Sequence, residues 1–305
     1  MDFVSDLFVG EVARFLSLES AVRFTQLSSA KWRKAGAEEQ EKRLELFLHI
    51  PFFRGTTPTK YAFQQIGTKK RVRYYSIQDV LKLDRRHVQV PRVELTYSKV
   101  PKSYRKIKGG LEEVRALYTA LKPFLASRLT ICLAPTKSAK DTEAMSAAFD
   151  VFHDRISSIV DLTLCHTGPK AMQFLNDCVE QQALQKLTLV GAWPDEGTYT
   201  MIERFLLSRN AFWLDIEGSR LKLKWDYVKR AFDNFEKDKT ALCRVNGRLM
   251  WDDDLRESHR PNQLIHSGQI AHMHFVDRWK LGKDQFMTGN YDAYRNFTLE
   301  PSIGT

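Results

Sequence analysis

The chain lacks most of the spacings that announce familiar chemistry. It has four cysteines, Cys132, Cys165, Cys178 and Cys243, and no two of them form a Cys-x-x-Cys pair. That excludes a zinc ribbon and a dithiol redox motif, and fits buried thiols in a reducing compartment. No apolar run approaches the ~18 residues of a membrane span, and Asp2 and Asp6 stand where a secretory leader would be basic. A soluble protein of the cytoplasm, the nucleus or both is expected, without membrane contact. Gly-x-Ser-x-Gly, a Gly-rich phosphate loop ending in Lys-Ser/Thr and His-Glu-x-x-His are all missing. The carboxylates show no paired spacing either, so the expectation is a non-enzyme with no cofactor and no bound metal. His259, His266, His272 and His274 gather near Asp252, Asp253 and Asp254, but their spacing matches no metal motif.

Acidic residues are scarce in one region. Residues 54–110 hold fifteen of the 47 Lys and Arg but only three of the 37 acids, Asp79, Asp84 and Glu94, so the net charge of +10 is concentrated there. Lys69, Lys70, Arg71, Arg73, Arg85, Arg86, Lys106 and Lys108 are its candidate ligand-binding cations. Tyr61, Phe63, Tyr74, Tyr75, Tyr97 and Tyr104 are interleaved with them. Three readings stay open: a solvated basic face, a site for an acidic or phosphorylated protein, and a nucleic-acid surface using phosphate contact and base stacking. Residues 69–73, KKRVR, also resemble a nuclear localisation patch.

What the chain has in excess is apolar surface at its start. Phe3, Val4, Leu7, Phe8, Val9, Val12, Phe15 and Leu16 crowd one short segment. At helical spacing Phe8, Val12, Phe15 and Leu16 share a face, with Val4 and Leu7 nearer its edge. Ser17 and Ser20 supply a break and a restart, Ala21, Val22, Phe24 and Leu27 form a second apolar segment, and Ser28 or Ser29 can cap a third helix carrying Trp32. That helix is expected to run on through Leu44, Phe47 and Leu48 until Pro51 ends it. So much apolar surface on a small unit signals a partner, in cis or in trans.

In this register the stretch resembles an F-box, the helical module that docks a substrate receptor onto the adaptor Skp1. The family pattern is Leu-Pro-x-Glu-Leu-Leu-x-x-Ile-Leu-x-x-Leu, followed further on by a Trp. Val4 takes the first Leu position, Phe8 and Val9 the Leu pair, Val12 the Ile and Phe15-Leu16 the closing apolar pair, with Trp32 in the place of the Trp. Ser5 replaces the Pro and Leu7 the Glu. The resemblance is closest to the divergent F-box proteins of nematodes. It implies Skp1 contact through Val4, Phe8, Val9, Val12, Phe15, Leu16 and Trp32, and membership of a cullin-based ubiquitin ligase. The alternative is that these helices merely cap the following domain.

Beyond Gly109-Gly110 the pattern becomes regular. Leu111, Val114, Tyr118, Leu121 and Leu125 fall on one helical face, and strands and helices then alternate. The words LTI, LTL, LTL and LDI recur at Leu129, Leu162, Leu187 and Leu214, separated by 33, 25 and 27 residues. A strand, a turn and a helix fill that length, the size of one leucine-rich-repeat-like βα unit. A single α/β domain with a parallel sheet would give the same alternation. Asn246-Gly247 between alternating residues predicts a hairpin, residues 270–275 a strand, and residues 294–301 another. The expectation overall is α+β. A helical module at 1–48 and a basic strand and loop segment at 49–110 precede irregular βα units at 111–305, a short curved solenoid or parallel sheet that binds an unidentified protein target.

Overall fold

The computed structural model describes residues 4–16, 18–52, 60–66, 73–98, 102–107, 110–134, 143–237, 244–250, 264–271, 274–280, 285–292 and 296–303. They form two compact units, Met1–Thr136 with Asp141–Val160, and Lys137–Lys140 with Asp161–Thr305. Each is α+β on a mixed sheet. The division near residue 160 leaves the boundaries expected at 48 and 110 inside the first unit. Among the described residues no helix is long and apolar enough to cross a membrane.

The first unit opens with α1 (Asp6–Phe15), α2 (Leu18–Val22) with a 3-10 turn at Arg23–Gln26, and α3 (Ala30–Lys42). Ser5 caps α1, its hydroxyl accepting the Phe8 N–H at 3.2 Å. The third helix stops at Arg43 and does not continue to Pro51. Leu44–Phe52 is instead strand β1. The segment fits both periods, but Leu46, Leu48 and Ile50 alternate and are all fully buried, and neighbours on both sides take up the backbone.

β2 (Lys60–Gln65), β3 (Tyr74–Tyr75), α4 (Ile77–Leu81), β4 (Val88–Tyr97), β5 (Arg105–Lys106), α5 (Gly110–Leu121), β6 (Leu125–Ala134) and α6 (Glu143–Phe152) complete the unit. Ser76 and Asp79 close a capping box on α4, as its sequence suggests. Leu125 begins β6 rather than extending the face of α5, because a 3-10 turn at Lys122–Phe124 containing Pro123 ends the helix. Within the basic segment Tyr74–Tyr75 and Arg105–Lys106 form only the short strands β3 and β5. The strand order is β6-β4-β1-β2-β3, with β6, β4 and β1 parallel and β2 antiparallel to β1. Phe63, Leu48, Val93 and Ile131 lie in register across four strands at 0% exposure. The other face of the sheet keeps Phe47, His49, Glu94 and Thr96 half-exposed.

The second unit alternates strictly: β7 (Ile159–Cys165), α7 (Pro169–Glu180), β8 (Lys186–Val190), α8 (Asp195–Leu207), β9 (Trp213–Asp215), α9 (Trp225–Lys237) and β10 (Arg244–Arg248). β11 (Leu264–Ala271), β12 (His274–Lys280), β13 (Gln285–Asp292) and β14 (Asn296–Ile303) then form an antiparallel meander that joins β10 through β14. Three of the four repeated words are structural equivalents. Leu162, Leu187 and Leu214 are direct register partners on parallel strands, continued by Val245 and Leu299, all at 0% exposure. Each such burial contributes roughly 1.5–3 kcal/mol. Thr163, Thr188 and Asp215, on the opposite face, stay half-exposed, so the apolar rows mark one face of this sheet, not both.

Two strand expectations are corrected. Asn246-Gly247 is not a turn but lies inside β10, between β9 and β14. A side chain at Gly247 would come within 2.6 Å of the Ile216 Cγ1, so this glycine serves close packing. Residues 270–275 are not one strand, since Ala271 ends β11 and His274 opens β12, with Ala271 and His274 as register partners.

Candidate partner-docking site

One side of α1 is buried and the other carries three large apolar side chains into water. Val9 and Ala13 point inward at 1% and 0% exposure, whereas Leu7, Phe8 and Phe15 are 78%, 54% and 62% exposed. At 100° per residue these three lie within one 100° arc, with Glu11 between them. Of the seven residues assigned to adaptor contact, Phe8 and Phe15 are thus presented, and Val4, Val12, Leu16 and Trp32 are half-buried. Val9 is corrected to a core residue: it holds the helices together and offers no surface. Leu7, absent from that set, is the most exposed large apolar residue among those described. The arc it shares with Phe15 and Phe8 on the helical wheel was the signal for it. Trp32 stands edge-on to Phe24 with ring centroids 4.7 Å apart, so it braces the 3-10 turn against α3.

The exposed stripe is rigidly mounted. The four carbonyls that end α1 have no partners within the helix, and side chains from elsewhere in the unit satisfy them. Arg43 donates to the oxygens of Leu16, Ala13 and Arg14 at 2.7, 2.8 and 3.1 Å, and Ser127 donates to that of Phe15 at 2.7 Å. Gln89 also donates to the Arg14 carbonyl. At the other end Lys31 reaches the Val4 carbonyl at 2.9 Å and the Asp6 carboxylate at 3.2 Å. α3, β4 and β6 therefore all fix the pose of α1. On α3, the ammonium of Lys42, 2.8 Å from Glu38, holds that carboxyl below its ordinary range.

No protein-family model matches this chain, and no curated protein does. Sequence pattern and geometry carry the functional reading.

Half of the candidate cations, Lys69, Lys70, Arg71 and Lys108, lie outside the described residues. Arg73, Arg85, Arg86 and Lys106 are all exposed but are not gathered into one patch. Arg85 and Arg86 precede β4, with β1 and β2 between that strand and Arg73 at the start of β3. Arg86 is engaged by Asp84 at 2.7 Å, which holds that carboxyl well below the usual range. Arg85 lies over the Phe124 ring at 5.8 Å. Of the interleaved aromatics, Tyr61, Phe63 and Tyr104 face inward at 3%, 0% and 6% exposure, and Tyr74 and Tyr75 are half-exposed.

The half-exposed face of the second unit carries a ladder that only the register reveals. Trp213 sits between two cations, Lys186 at 4.3 Å and Arg244 at 5.2 Å from its ring. Asp161 pairs with Lys186 at 3.8 Å and Glu300 with Arg244 at 2.9 Å, so across five strands a cation flanks the ring on each side and an acid closes each end. Beside it, burial pushes the Asp215 carboxyl up, while the Glu217 N–H at 3.1 Å and the Asn246 amide at 3.2 Å oppose the shift. His259, His272 and Asp252 to Asp254 lie outside the described residues. Among those described, no three His, Cys, Asp or Glu side chains cluster as metal ligands would.

Proposed function

We propose that this chain is the substrate-recognition subunit of a Skp1-cullin-F-box type ubiquitin ligase. Helices α1 to α3 dock on a Skp1-like adaptor, and the βα region holds a protein target. The observation that carries the reading is the apolar stripe of Leu7, Phe8 and Phe15, left in water on a helix whose other face and both ends are locked. A cap on the following domain would turn those rings inward, where each would contribute roughly 1.5–3 kcal/mol. Kept outside, they serve as anchors for a partner, and the F-box resemblance names which one. In-register leucines with one apolar face support the finer reading of the second unit as leucine-rich-repeat-like units. The ladder around Trp213 is the surface they offer a target.

In this mechanism the chain performs no chemistry. Carrying adaptor and target on one chain lets a target lysine meet the ubiquitin thioester as if within one molecule. The test is co-purification of the full chain with Skp1. Phe8→Ala combined with Phe15→Ala should abolish it while leaving Tm and the circular dichroism spectrum unchanged, because both rings are exposed. Retention of Skp1 by the double variant sinks the reading.

A further inference from the structure

Arg14, Arg23, Lys42, Arg86, Arg92, Arg115, Lys122, Lys186, Arg204 and Arg244 each form an ion pair with a nearby acid. Four cations gathered around β2 do not. Lys60, on β2, and Arg73, Arg105 and Lys106, on the segments beside it, have no ion-pair partner among the described residues. The acid that senses Arg105, Asp79, is occupied in the capping box of α4. Lys60 and Lys106 are moreover direct cross-strand partners. Like charges so placed destabilise a strand pair, and nothing described relieves them. A basic face that only balanced nearby acids would not leave this arrangement.

The register also distributes the four cations. Opposed residues on paired strands share a face, so Lys60 and Lys106 project on one face of the sheet. Arg105 opposite Tyr61, and Arg73 opposite Gln65, project on the other. β3 is the last strand in the order β6-β4-β1-β2-β3, so this end of the sheet is an edge with charge of one sign on both faces. An extended peptide presents its side chains alternately to both faces of the sheet it joins. A nucleic acid would need aromatic rings to stack on; Tyr61, Phe63 and Tyr104 are in the core, which leaves it the half-exposed Tyr74 and Tyr75 of β3 among the described residues, and oligo-uridine is the probe for that outcome.

We infer that the β2-β3-β5 edge of the first unit binds an extended acidic segment of a protein partner, with Lys60, Arg73, Arg105 and Lys106 as its charge contacts. The site is separate from α1 and stands whether or not α1 meets an adaptor.

The probe is a fluorescently labelled Glu-Glu-Val-Val repeat peptide, which as a strand presents acids to both faces; it is titrated with the full chain and read by anisotropy at ~50 mM salt, where exposed charges are least screened. Neutralising all four cations (Lys60→Gln, Arg73→Gln, Arg105→Gln, Lys106→Gln) should weaken binding at least about tenfold, the scale of a few surface charge contacts. Arg85→Gln with Arg86→Gln should leave it unchanged. Lys106→Glu separates binding from folding, because it gives Lys60 an opposite partner: Tm should rise by about 1–2 °C while peptide affinity falls. Equal affinity in the neutralised variant, or tighter binding of oligo-uridine than of the peptide, overturns the assignment.

Discussion

Arg43 and Glu39, one helical turn apart at the end of α3, form a buried ion pair at 2.5 Å, and the same guanidinium holds three carbonyls at the end of α1. The Arg43 side chain is fully buried and that of Glu39 is 7% exposed. Taking both charges out of water is costly, and the planar fork of arginine compensates by satisfying every acceptor it faces.

Removing one partner should therefore be worse than removing both. Arg43→Met strands a buried carboxylate and the α1 carbonyls, and should cost about 3–5 kcal/mol in urea unfolding. Arg43→Met combined with Glu39→Met should recover part of that loss, since no uncompensated charge remains. A double variant as unstable as the single one would assign the whole effect to the carbonyls. Arg43→Lys should fall between, because an ammonium cannot span the same acceptors.

The parts of this fold that repeat were legible in the sequence, and the parts that depend on register were not. Leu162, Leu187 and Leu214 announced themselves because recurring words on successive strands can bury one row only if they align. Leu44–Phe52 misled because Leu44, Phe47 and Leu48 fit a helical period while Leu46, Leu48 and Ile50 fit a strand, and only the neighbouring strands decide between them. On α1 the apolar excess was plain, but a helix apolar on two sides does not say which side faces the core. Phe8 and Phe15 lie on the exposed side, as does Leu7, whereas Val9 lies on the buried one. The role of Arg43 left no pattern at all, because its acceptors are backbone carbonyls 27 to 30 positions away. Trp213 and its two cations are likewise brought together only by strand pairing.

Gly247 tests the strongest misreading. Beside Asn246 it has the sequence of a hairpin turn, yet it is buried in β10 with Ile216 Cγ1 only 2.6 Å from where a Cβ would stand, and Leu223 Cβ at 3.5 Å. Gly247→Ala should destabilise the chain by about 1–3 kcal/mol through overpacking. In a two-residue hairpin turn the same change would act through positive φ instead, and Gly247 is not among the glycines with positive φ. Trimming the opposing side chain separates the two causes: Gly247→Ala should be better tolerated with Ile216→Ala than in the native background. Equal cost in both backgrounds would remove the packing explanation.

His49 gives the first unit a defined response to acid. Its Nδ1 meets the Tyr104 hydroxyl at 2.7 Å and its Nε2 the Thr96 hydroxyl at 3.1 Å, on the half-exposed face of β1. Burial holds the imidazole below its ordinary pKa of ~6.5, Arg92 adds to the shift and Glu94 opposes it. Burial also pushes Tyr104 up to about 12, so the phenol keeps its proton throughout the window. Because the folded value is depressed, the unfolded chain takes up the proton first as pH falls. Stability attributable to His49 is therefore complete above the unfolded pKa and is lost as pH drops through ~6.5 toward the folded value. His166 is shifted in the same direction, again chiefly by burial, and adds a parallel loss. Urea unfolding from pH 7 to pH 5 should thus show falling stability. His49→Gln should flatten that fall by up to one proton in the linkage slope, and adding His166→Gln should flatten it further. A His49→Gln chain that declines as steeply as the native one would show that the imidazole keeps its ordinary affinity for protons despite its burial.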